Sequence, residues 1–167
     1  AKPAGSPEAD DYAHAVTSDH YGNLYITGMC SGTTMFDKVK LKNTGNFDIF
    51  LAKYTSNGNV MWVKQSGGKL ADAGYGLSFT PKGLIYVTGY FKDEAKFDTI
   101  SIGTKDKIDD DIFIAGYRTD GSVAWAKQAG GPQRDYGFSI SNDRVGNSYL
   151  TGYFSGKCGF EEISLST

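Results

Sequence analysis

The sequence predicts an all-β protein of the β-propeller type, and three observations lead to this prediction. The motif at Leu24–Gly28 returns at Ile85–Gly89 and at Ser148–Gly152, after 61 and then 63 residues. Gly accounts for 22 of 167 residues, roughly twice the usual share of about 7%, and Tyr and Phe add 11 and 10 residues. No segment has the 3.6-residue apolar period of a helix. The pattern therefore indicates short strands, tight turns and internal repetition.

Longer blocks repeat with the motif and define a unit of about sixty residues. Asp48–Tyr54 returns at Asp111–Tyr117, and Val60–Gln65 returns at Val123–Gln128. A further segment occurs in all three copies, at Phe36–Leu41, Phe97–Ile102 and Phe160–Leu165. The two-residue difference in spacing falls within Gly103–Asp110, as expected for a loop. Three copies of the unit begin in this sequence and two of them finish.

Each unit is predicted to contain four main strands and a short connecting one. In the first unit the main strands are expected at 13–17, 24–28, 49–54 and 60–65, and the connecting strand lies at 36–41. Asn-Gly at Asn57-Gly58 and Asp-Gly at Asp120-Gly121 join the third strand to the fourth. These dipeptides supply the positive backbone dihedrals of a hairpin turn, so the third and fourth strands are predicted to pair.

The third strand indicates how the sheets are covered. Ile49 and Leu51 alternate with Phe50 and Ala52, so neither face is uniformly polar. A small antiparallel sheet with two apolar faces is most simply covered by copies of itself, as in a propeller. A β-sandwich needs no sequence repeat, and the coils of a parallel β-helix repeat over far fewer residues, so both alternatives fit less well.

The repeated residues resemble a known family. Gly22–Gly28, Phe154–Gly156, Asp48–Tyr54 and Trp125–Gly131 are similar to the bacterial SBBP (β-propeller) repeat, with departures at Met29-Cys30 and at Pro81–Leu84. The resemblance implies a repeat found in large secreted or cell-surface bacterial proteins, many of them exported by the type IX route, with no single activity attached.

The repeat boundaries predict about two and a half four-stranded antiparallel blades of an incomplete ring. Residues 1–11 are expected to end a preceding blade, because Ala1–Gly5 matches Ala126–Gly130. Residues 12–71 and 72–134 form blades 1 and 2, and residues 135–167 form the first half of blade 3. Since propellers close with roughly four to eight blades, we expect the remaining blades of the same polypeptide, or other copies of the chain, to be partners.

Charge and hydropathy exclude some functions. Lys and Arg total 17 against 19 Asp and Glu, so the net charge of −2 does not favour nucleic acid. No stretch approaches the roughly 20 apolar residues of a membrane helix, and no signal peptide is recognisable at the first residues. Cys30 and Cys158 occupy different positions of the repeat on nonadjacent blades, so we expect no disulfide between them.

The binding residues are expected on the long loops. The connections between second and third strands, and between one unit and the next, are long, and they should share one face of the protein, which we call the long-loop face. The candidates on this face are Lys105, Asp106, Asp109, Asp110, Gln133 and Arg134. Asp109 and Asp110 could hold Ca²⁺, but the cluster lacks the spacing of a dedicated calcium loop, so solvated loop charge is the preferred interpretation. No cofactor is predicted.

Other repeated residues are interpreted as structural. Asp11, Asp72 and Asp135 open the three copies and are expected to cap turns by accepting bonds from backbone N–H groups. Asp48 and Asp111 open the third strands, and Trp62 and Trp125 occupy one equivalent position on the fourth strands. His14 aligns with Tyr75 and Phe138, which indicates an aromatic-sized filler in the first strand. Adjacent Glu161 and Glu162 point to opposite faces of a strand and do not converge on a substrate.

Three functions follow from this pattern. The leading hypothesis is a noncatalytic scaffold within a secreted or surface-exposed bacterial protein, on the outer-membrane exterior, that binds another protein or a surface glycan or other polymer. The second is an oligomeric carbohydrate-binding lectin with repeated pockets. The third, remote hypothesis is a propeller hydrolase or lyase whose site lies outside this chain, because no nucleophile, base and metal constellation is recognisable in it.

Overall fold

The protein is described by a computed structural model that covers residues 4–104, 109–160 and 163–166. Within these residues the regular structure consists of strands alone, and all ladders between named strands are antiparallel. In chain order the strands are β1 (Ala4–Gly5), β2 (Asp11–Ser18), β3 (Leu24–Cys30), β4 (Thr33–Phe36), β5 (Val39–Lys42), β6 (Asp48–Tyr54), β7 (Val60–Ser66), β8 (Ala73–Phe79), β9 (Leu84–Lys92), β10 (Glu94–Phe97), β11 (Ile100–Gly103), β12 (Asp110–Arg118), β13 (Val123–Ala129), β14 (Tyr136–Asn142), β15 (Ser148–Tyr153), β16 (Lys157–Phe160) and β17 (Ile163–Ser166).

The sequence repeats coincide with repeated sheets. Strands β2-β3-β6-β7 form the first four-stranded sheet, and β9 and β12 form the centre of the second, whose order is β8-β9-β12-β13. Strands β14 and β15 form a two-stranded third sheet. The first strands lie together, since β8 contacts both β2 and β14. We call this shared inner edge of the three sheets the hub. Stacked antiparallel sheets that repeat with the sequence are consistent with a β-propeller-like fold.

The connection between second and third strands differs from the prediction. It contains two short strands rather than one, in the hairpins β4-β5, β10-β11 and β16-β17. Asp37 and Asp98 close the first two hairpins with φ of 54° and 56°, a backbone conformation that Asp adopts more readily than most residues. Each hairpin also pairs with a segment outside its own hairpin: Ala4 of β1 pairs with Phe36, Gly67 after β7 with Lys96, and Gly130 after β13 with Gly159.

The main core lies between the first and second sheets. Tyr25, Ile49 and Leu51 of the first sheet pack against a face of the second that includes Ile85 and Val87. Tyr117 of the second sheet is buried there, and its hydroxyl shares a 2.9 Å hydrogen bond with Ser66 of the first. A second core cluster packs the β4-β5 hairpin on the first sheet, through contacts such as Phe36 with Phe50. Both faces of the third strand β6 are therefore buried, in agreement with the apolar residues that alternate along it.

The glycine of the repeated motif has a specific structural cause. A Cβ atom at Gly28 or Gly89 would lie 1.8 Å from the carbonyl oxygen of Tyr12 or Ala73, and one at Gly152 would lie 2.1 Å from that of Tyr136. In each sheet the first strand therefore lies so close to the second at this position that there is no room for a Cβ atom.

Substitution of this glycine tests the close approach. We expect Gly89→Ala to lower the free energy of unfolding by about 1–3 kcal/mol, because backbone atoms must move to admit the methyl group. Gly103→Ala is the matched control, since its Cβ would lie 3.5 Å from the Asp93 carbonyl oxygen, an ordinary contact. Urea unfolding followed by tryptophan fluorescence compares the two. Equal stability of both variants and the parent would contradict the prediction.

Candidate functional site

Each first strand contains a β-bulge at the same position of the repeat. The register shifts between Ala13 and Ala15, between Gly74 and Gly76, and between Gly137 and Ser139. The extra residues are His14, Tyr75 and Phe138. A bulge leaves one residue out of the ladder and redirects its side chain, and bulges are common beside functional sites. Three equivalent ring-bearing side chains are therefore redirected along the hub.

These three rings belong to a longer series of contacting rings. The ring centroids are 4.6 Å apart between His14 and Tyr75, and 5.9 Å apart between Tyr75 and Phe138. Tyr90 lies 5.8 Å from Tyr75 and 5.1 Å from Tyr136. We call this set the aromatic row, and its members are Tyr12, His14, Tyr75, Tyr90, Tyr136 and Phe138. At its two ends Phe47 and Tyr153 extend it.

The aromatic row is open along much of its length. Tyr12 is 45% exposed and Phe138 is 51% exposed, while Tyr75, Tyr90 and Tyr136 are half-buried. His14 is exposed, its ring lies against Tyr75, and its Nδ1 lies 2.9 Å from the Gly74 carbonyl oxygen. The alignment of His14 with Tyr75 and Phe138 was visible in the sequence, but the bulge that exposes these rings was not.

Polar groups of the long-loop face meet the aromatic row at Asp110. The Tyr136 hydroxyl donates a 2.6 Å hydrogen bond to Asp110 Oδ2. Lys92 Nζ lies 3.9 Å from Asp110 Oδ1, and Arg134 Nε lies 3.7 Å from Oδ2. Asp110 and Arg134 were binding candidates from the sequence, and the structure brings them together. Nothing in the sequence indicated that Lys92 and Tyr136 would lie beside them.

Burial and the Asp110 charge keep the phenols of this region protonated. Burial is the main cause that raises the pKa of Tyr90 to about 12, and Asp110 contributes to it. Burial and then Asp110 also raise the pKa of Tyr75 and of Tyr136. The phenols therefore remain hydrogen-bond donors well above neutral pH.

The remaining loop candidates are placed as follows. Gln133 is exposed, and its Oε1 accepts a 2.5 Å hydrogen bond from the Ser155 hydroxyl. Asp109 is half-buried. Lys105 and Asp106 lie outside the described residues, as do Glu161 and Glu162. Within residues 4–104, 109–160 and 163–166 no group of three or more His, Cys, Asp or Glu converges as a metal site. A calcium ion at Asp110 would have to displace two cationic side chains.

The aspartates that open the repeats join the sheets at their junctions. Asp72 accepts hydrogen bonds from the backbone N–H of Gly68 at 2.6 Å and of Lys92 at 3.0 Å. Asp135 accepts them from the N–H of Gly131 at 2.8 Å and of Ser155 at 3.2 Å. Asp11 accepts one from the Ser6 N–H and one from the Thr34 hydroxyl. Each carboxylate thus ties the loop before its repeat to the end of the second strand or to the segment just after it.

Burial raises the pKa of two junction aspartates, Asp72 and Asp135. Asp72 is fully buried, and its pKa rises to about 7 because burial opposes the charge and outweighs the two N–H donors. Asp48 and Asp110 add like-charge repulsion. Burial is also the main cause of a raised pKa at Asp135. Ionisation of these carboxyl groups at the sheet junctions therefore lowers the free energy of unfolding.

The remaining repeat positions contact their own sheets, and Trp62 also contacts the next one. Asp48 Oδ2 accepts hydrogen bonds from the Thr44 backbone N–H and from Gln65, and Asp111 is buried at the start of the third strand of the second sheet. Trp62 lies against Tyr25, and Trp125 lies against Tyr86. Trp62 Nε1 also donates a 3.1 Å hydrogen bond to the Thr119 carbonyl of the next sheet. Cys30 and Cys158 are free and buried.

The all-β fold and the repeated antiparallel sheets are consistent with a β-propeller-like fold. The family model for SBBP, a β-propeller repeat, matches residues 124–153, which confirms the resemblance at those residues. An uncharacterized WD repeat-containing protein, L264 of Acanthamoeba polyphaga mimivirus, is 25% identical over an alignment that covers 70% of this chain. This chain spans 11% of the length of that viral protein. Among the described residues there is no helix with the length and hydropathy of a membrane span.

Proposed function

We propose that this chain is a noncatalytic part of a β-propeller that binds another protein or a surface polymer on its long-loop face. The observation that carries this proposal is the convergence of Lys92, Asp110, Arg134 and Tyr136 with the aromatic row at the hub. Rigid sheets hold these side chains at the inner end of loops, which is where scaffold proteins usually bind. The similarity to a viral WD repeat-containing protein supports a propeller scaffold.

The hydrogen bonds and ion pairs of the acidic residues support the noncatalytic assignment. Asp72 and Asp135 accept backbone N–H bonds at the sheet junctions, and Asp110 is held by a phenol and two cations. Carboxylates held in this way are structural or positioning groups rather than a free acid and base pair.

The incomplete ring is also part of the proposal. Ile85, Val87 and Tyr117 of the second sheet are buried by the first sheet. Their counterparts Leu24, Ile26 and Tyr54 are half-buried and line an open cavity of about 410 Å³. A further blade would fill this cavity as the first sheet covers the second. In this proposal the chain supplies about two and a half blades, and the SBBP resemblance supports a location at a bacterial cell surface as part of the same proposal.

Site-directed photo-cross-linking tests the binding face. Benzoylphenylalanine is placed at Gln133 on the long-loop face or, as the matched control, at Asn57 in the opposite turn; both positions are exposed. The chain is expressed within its parent protein in the organism that encodes it, and intact cells are irradiated. We expect adducts with one partner from position 133 and none from position 57.

Two outcomes would overturn the proposed function. Adducts of equal yield from both positions would show that the contacts are not specific to the long-loop face. No adduct from position 133 would show that this face is not bound in the cell. Protection of the parent protein from protease added to intact cells would overturn the surface location.

A further inference from the structure

We propose that the outer edge of β15 receives a β-strand from elsewhere in the parent polypeptide, and that Gly152 and Phe160 select a phenylalanine on that strand. The inference deepens the incomplete ring of the proposed function, because it names the segment that the third sheet accepts. It does not depend on what the long-loop face binds. The added strand has a defined sequence, Asp-Ile-Phe followed by Leu or Ile and then Ala, as in the third strands β6 and β12.

The edge of β15 is open where the equivalent strands are paired. Strands β3 and β9 each lie between the first and the third strand of their sheets. Within the part of the chain that the structure describes, β15 pairs with β14 alone. Five of the six residues of β15 are exposed, whereas β3 and β9 contain no exposed residue. Unpaired backbone N–H and C=O groups along an edge are the surface to which a further strand adds.

The two four-stranded sheets show which side chain the added strand must carry. In the first sheet the Phe50 ring lies 2.9 Å from the position that a Cβ atom would occupy on Gly28. The centroid of the same ring lies 5.0 Å from that of Phe36 in the β4-β5 hairpin. The second sheet repeats both contacts at the same distances, with the equivalent residues Gly89, Phe97 and Phe113. A glycine and a hairpin phenylalanine thus form a pocket for the phenylalanine of the third strand.

The third sheet has the same pocket without a third-strand ring. Gly152 and Phe160 occupy the repeat positions of Gly28 and Phe36. The three heavy atoms nearest to a Cβ atom on Gly152 are backbone atoms of β14, whereas the other two sheets place a ring there. Gly152 is exposed and Phe160 is half-buried, while Phe36 is buried. A phenylalanine from an added strand would therefore complete the contacts that the first two sheets already have.

Thr151 provides a hydrogen-bond donor in the same register. In the first two sheets the third-strand phenylalanine pairs with the repeated glycine. The Thr27 hydroxyl donates a 2.7 Å hydrogen bond to the carbonyl oxygen of Phe50, and the second sheet has the same bond at 2.8 Å. Thr151 is the equivalent residue of β15 and is exposed. A strand that pairs its phenylalanine with Gly152 brings the carbonyl oxygen of that phenylalanine to the Thr151 hydroxyl.

Hydrogen exchange on the unmodified chain tests the proposal. The probe is a synthetic peptide with the β12 sequence, Asp-Asp-Ile-Phe-Ile-Ala-Gly-Tyr-Arg, and the control peptide has Ala in place of Phe. We expect an excess of the β12 peptide to slow exchange of the β15 amides at least tenfold, because they gain backbone acceptors. The amides of β3 should be unaffected, since β3 already pairs with β6. The control peptide should bind at least tenfold more weakly.

Variants of the pocket provide a second measurement, in which anisotropy of a fluorescent β12 peptide reports binding. We expect Phe160→Ala to weaken binding about tenfold, through loss of the ring contact. Thr151→Val should weaken it about threefold, through loss of the hydroxyl donor. Thr151 is exposed, so this variant should keep the stability of the parent chain even if Phe160→Ala fails to fold. Tyr21→Ala is the matched control, because Tyr21 is 88% exposed in the turn between β2 and β3, and it should bind like the parent chain.

Photo-cross-linking in the parent protein identifies the source of the strand. Benzoylphenylalanine replaces Tyr149, which is 56% exposed on β15. We expect a cross-link within one polypeptide, to a segment with the Asp-Ile-Phe sequence. An adduct with a different polypeptide would overturn the assignment of the strand to the parent polypeptide.

Unchanged exchange of the β15 amides with the β12 peptide would overturn the proposal as a whole. Equal binding of the two peptides would overturn the selection of phenylalanine. Cross-linking from Gln133 reports separately on the proposed function. A partner adduct from Gln133 without protection of β15 would remove the added strand and leave the binding face in place, and the reverse result would do the opposite.

Discussion

Replacement of Ile85 by Ala is expected to lower the free energy of unfolding by about 2–5 kcal/mol. Ile85 has 0% of its surface exposed and lies in the core between the first and second sheets, where it belongs to the same cluster as Tyr25 and Leu51. The substitution removes three carbon atoms from a site whose neighbours belong to two sheets. The surrounding side chains can collapse only partly into the space, so the loss includes the cost of a cavity.

Leu24→Ala is the matched control for this prediction. Leu24 occupies the same position of the repeat in the first sheet, but it is half-buried and lines the open cavity. We expect it to cost roughly half as much as Ile85→Ala or less, since less of its apolar surface is removed from water. Urea unfolding of both variants at one pH measures the difference. Equal losses would contradict the conclusion that packing between sheets stabilises the repeats.

The stability of the protein is expected to fall as pH rises from 5 to 8, by about 3 kcal/mol from Asp72 alone. Burial raises the pKa of Asp72 from 3.8 to about 7 in the folded protein. A group with a raised folded pKa contributes most below its unfolded pKa, and that contribution is lost as pH rises through the folded pKa. The carboxyl group is protonated at pH 5, and its ionisation near pH 7 places a charge beside Asp48 and Asp110.

Asp72→Asn should remove most of this pH dependence, because an amide does not ionise. His14 and His20 are present in both proteins, so their contribution cancels in the comparison. Asp135, whose pKa is also raised by burial, gives a smaller remaining slope of the same sign. Urea midpoints at intervals between pH 5 and 8 provide the measurement.

Asp143→Asn is the control for the pH experiment. Hydrogen bonds from Asn147 and from neighbouring N–H groups lower the pKa of Asp143, although desolvation acts in the opposite direction. The Asp143 carboxylate therefore titrates below the pH interval of 5 to 8. The variant should keep the slope of the parent chain. A parent profile that is flat, or a slope that survives in Asp72→Asn, would refute the role of Asp72.

The candidate site was only partly predictable from the sequence. Asp110 and Arg134 were selected because they lie in long loops, and this reasoning needs only strand order. Lys92 and Tyr136 were missed because they lie at strand ends, 18 residues before and 26 residues after Asp110. The pairing of β9 with β12 brings Lys92 near Asp110, and the approach of β14 brings Tyr136 near it. In the structure Trp62 pairs with Lys53 and Trp125 pairs with Gly116, which are matching positions of the repeat.

The sequence by itself determined the all-β repeat, the strand order and the turns, because these depend on local spacing, glycine positions and the comparison of one copy with another. Only the tertiary structure decided that the connecting segment is a hairpin, that the first strand bulges at His14 and that this side chain is exposed. These features depend on how closely β2 lies beside β3 and on how one sheet packs on the next. Both depend on contacts between residues that are far apart in the chain.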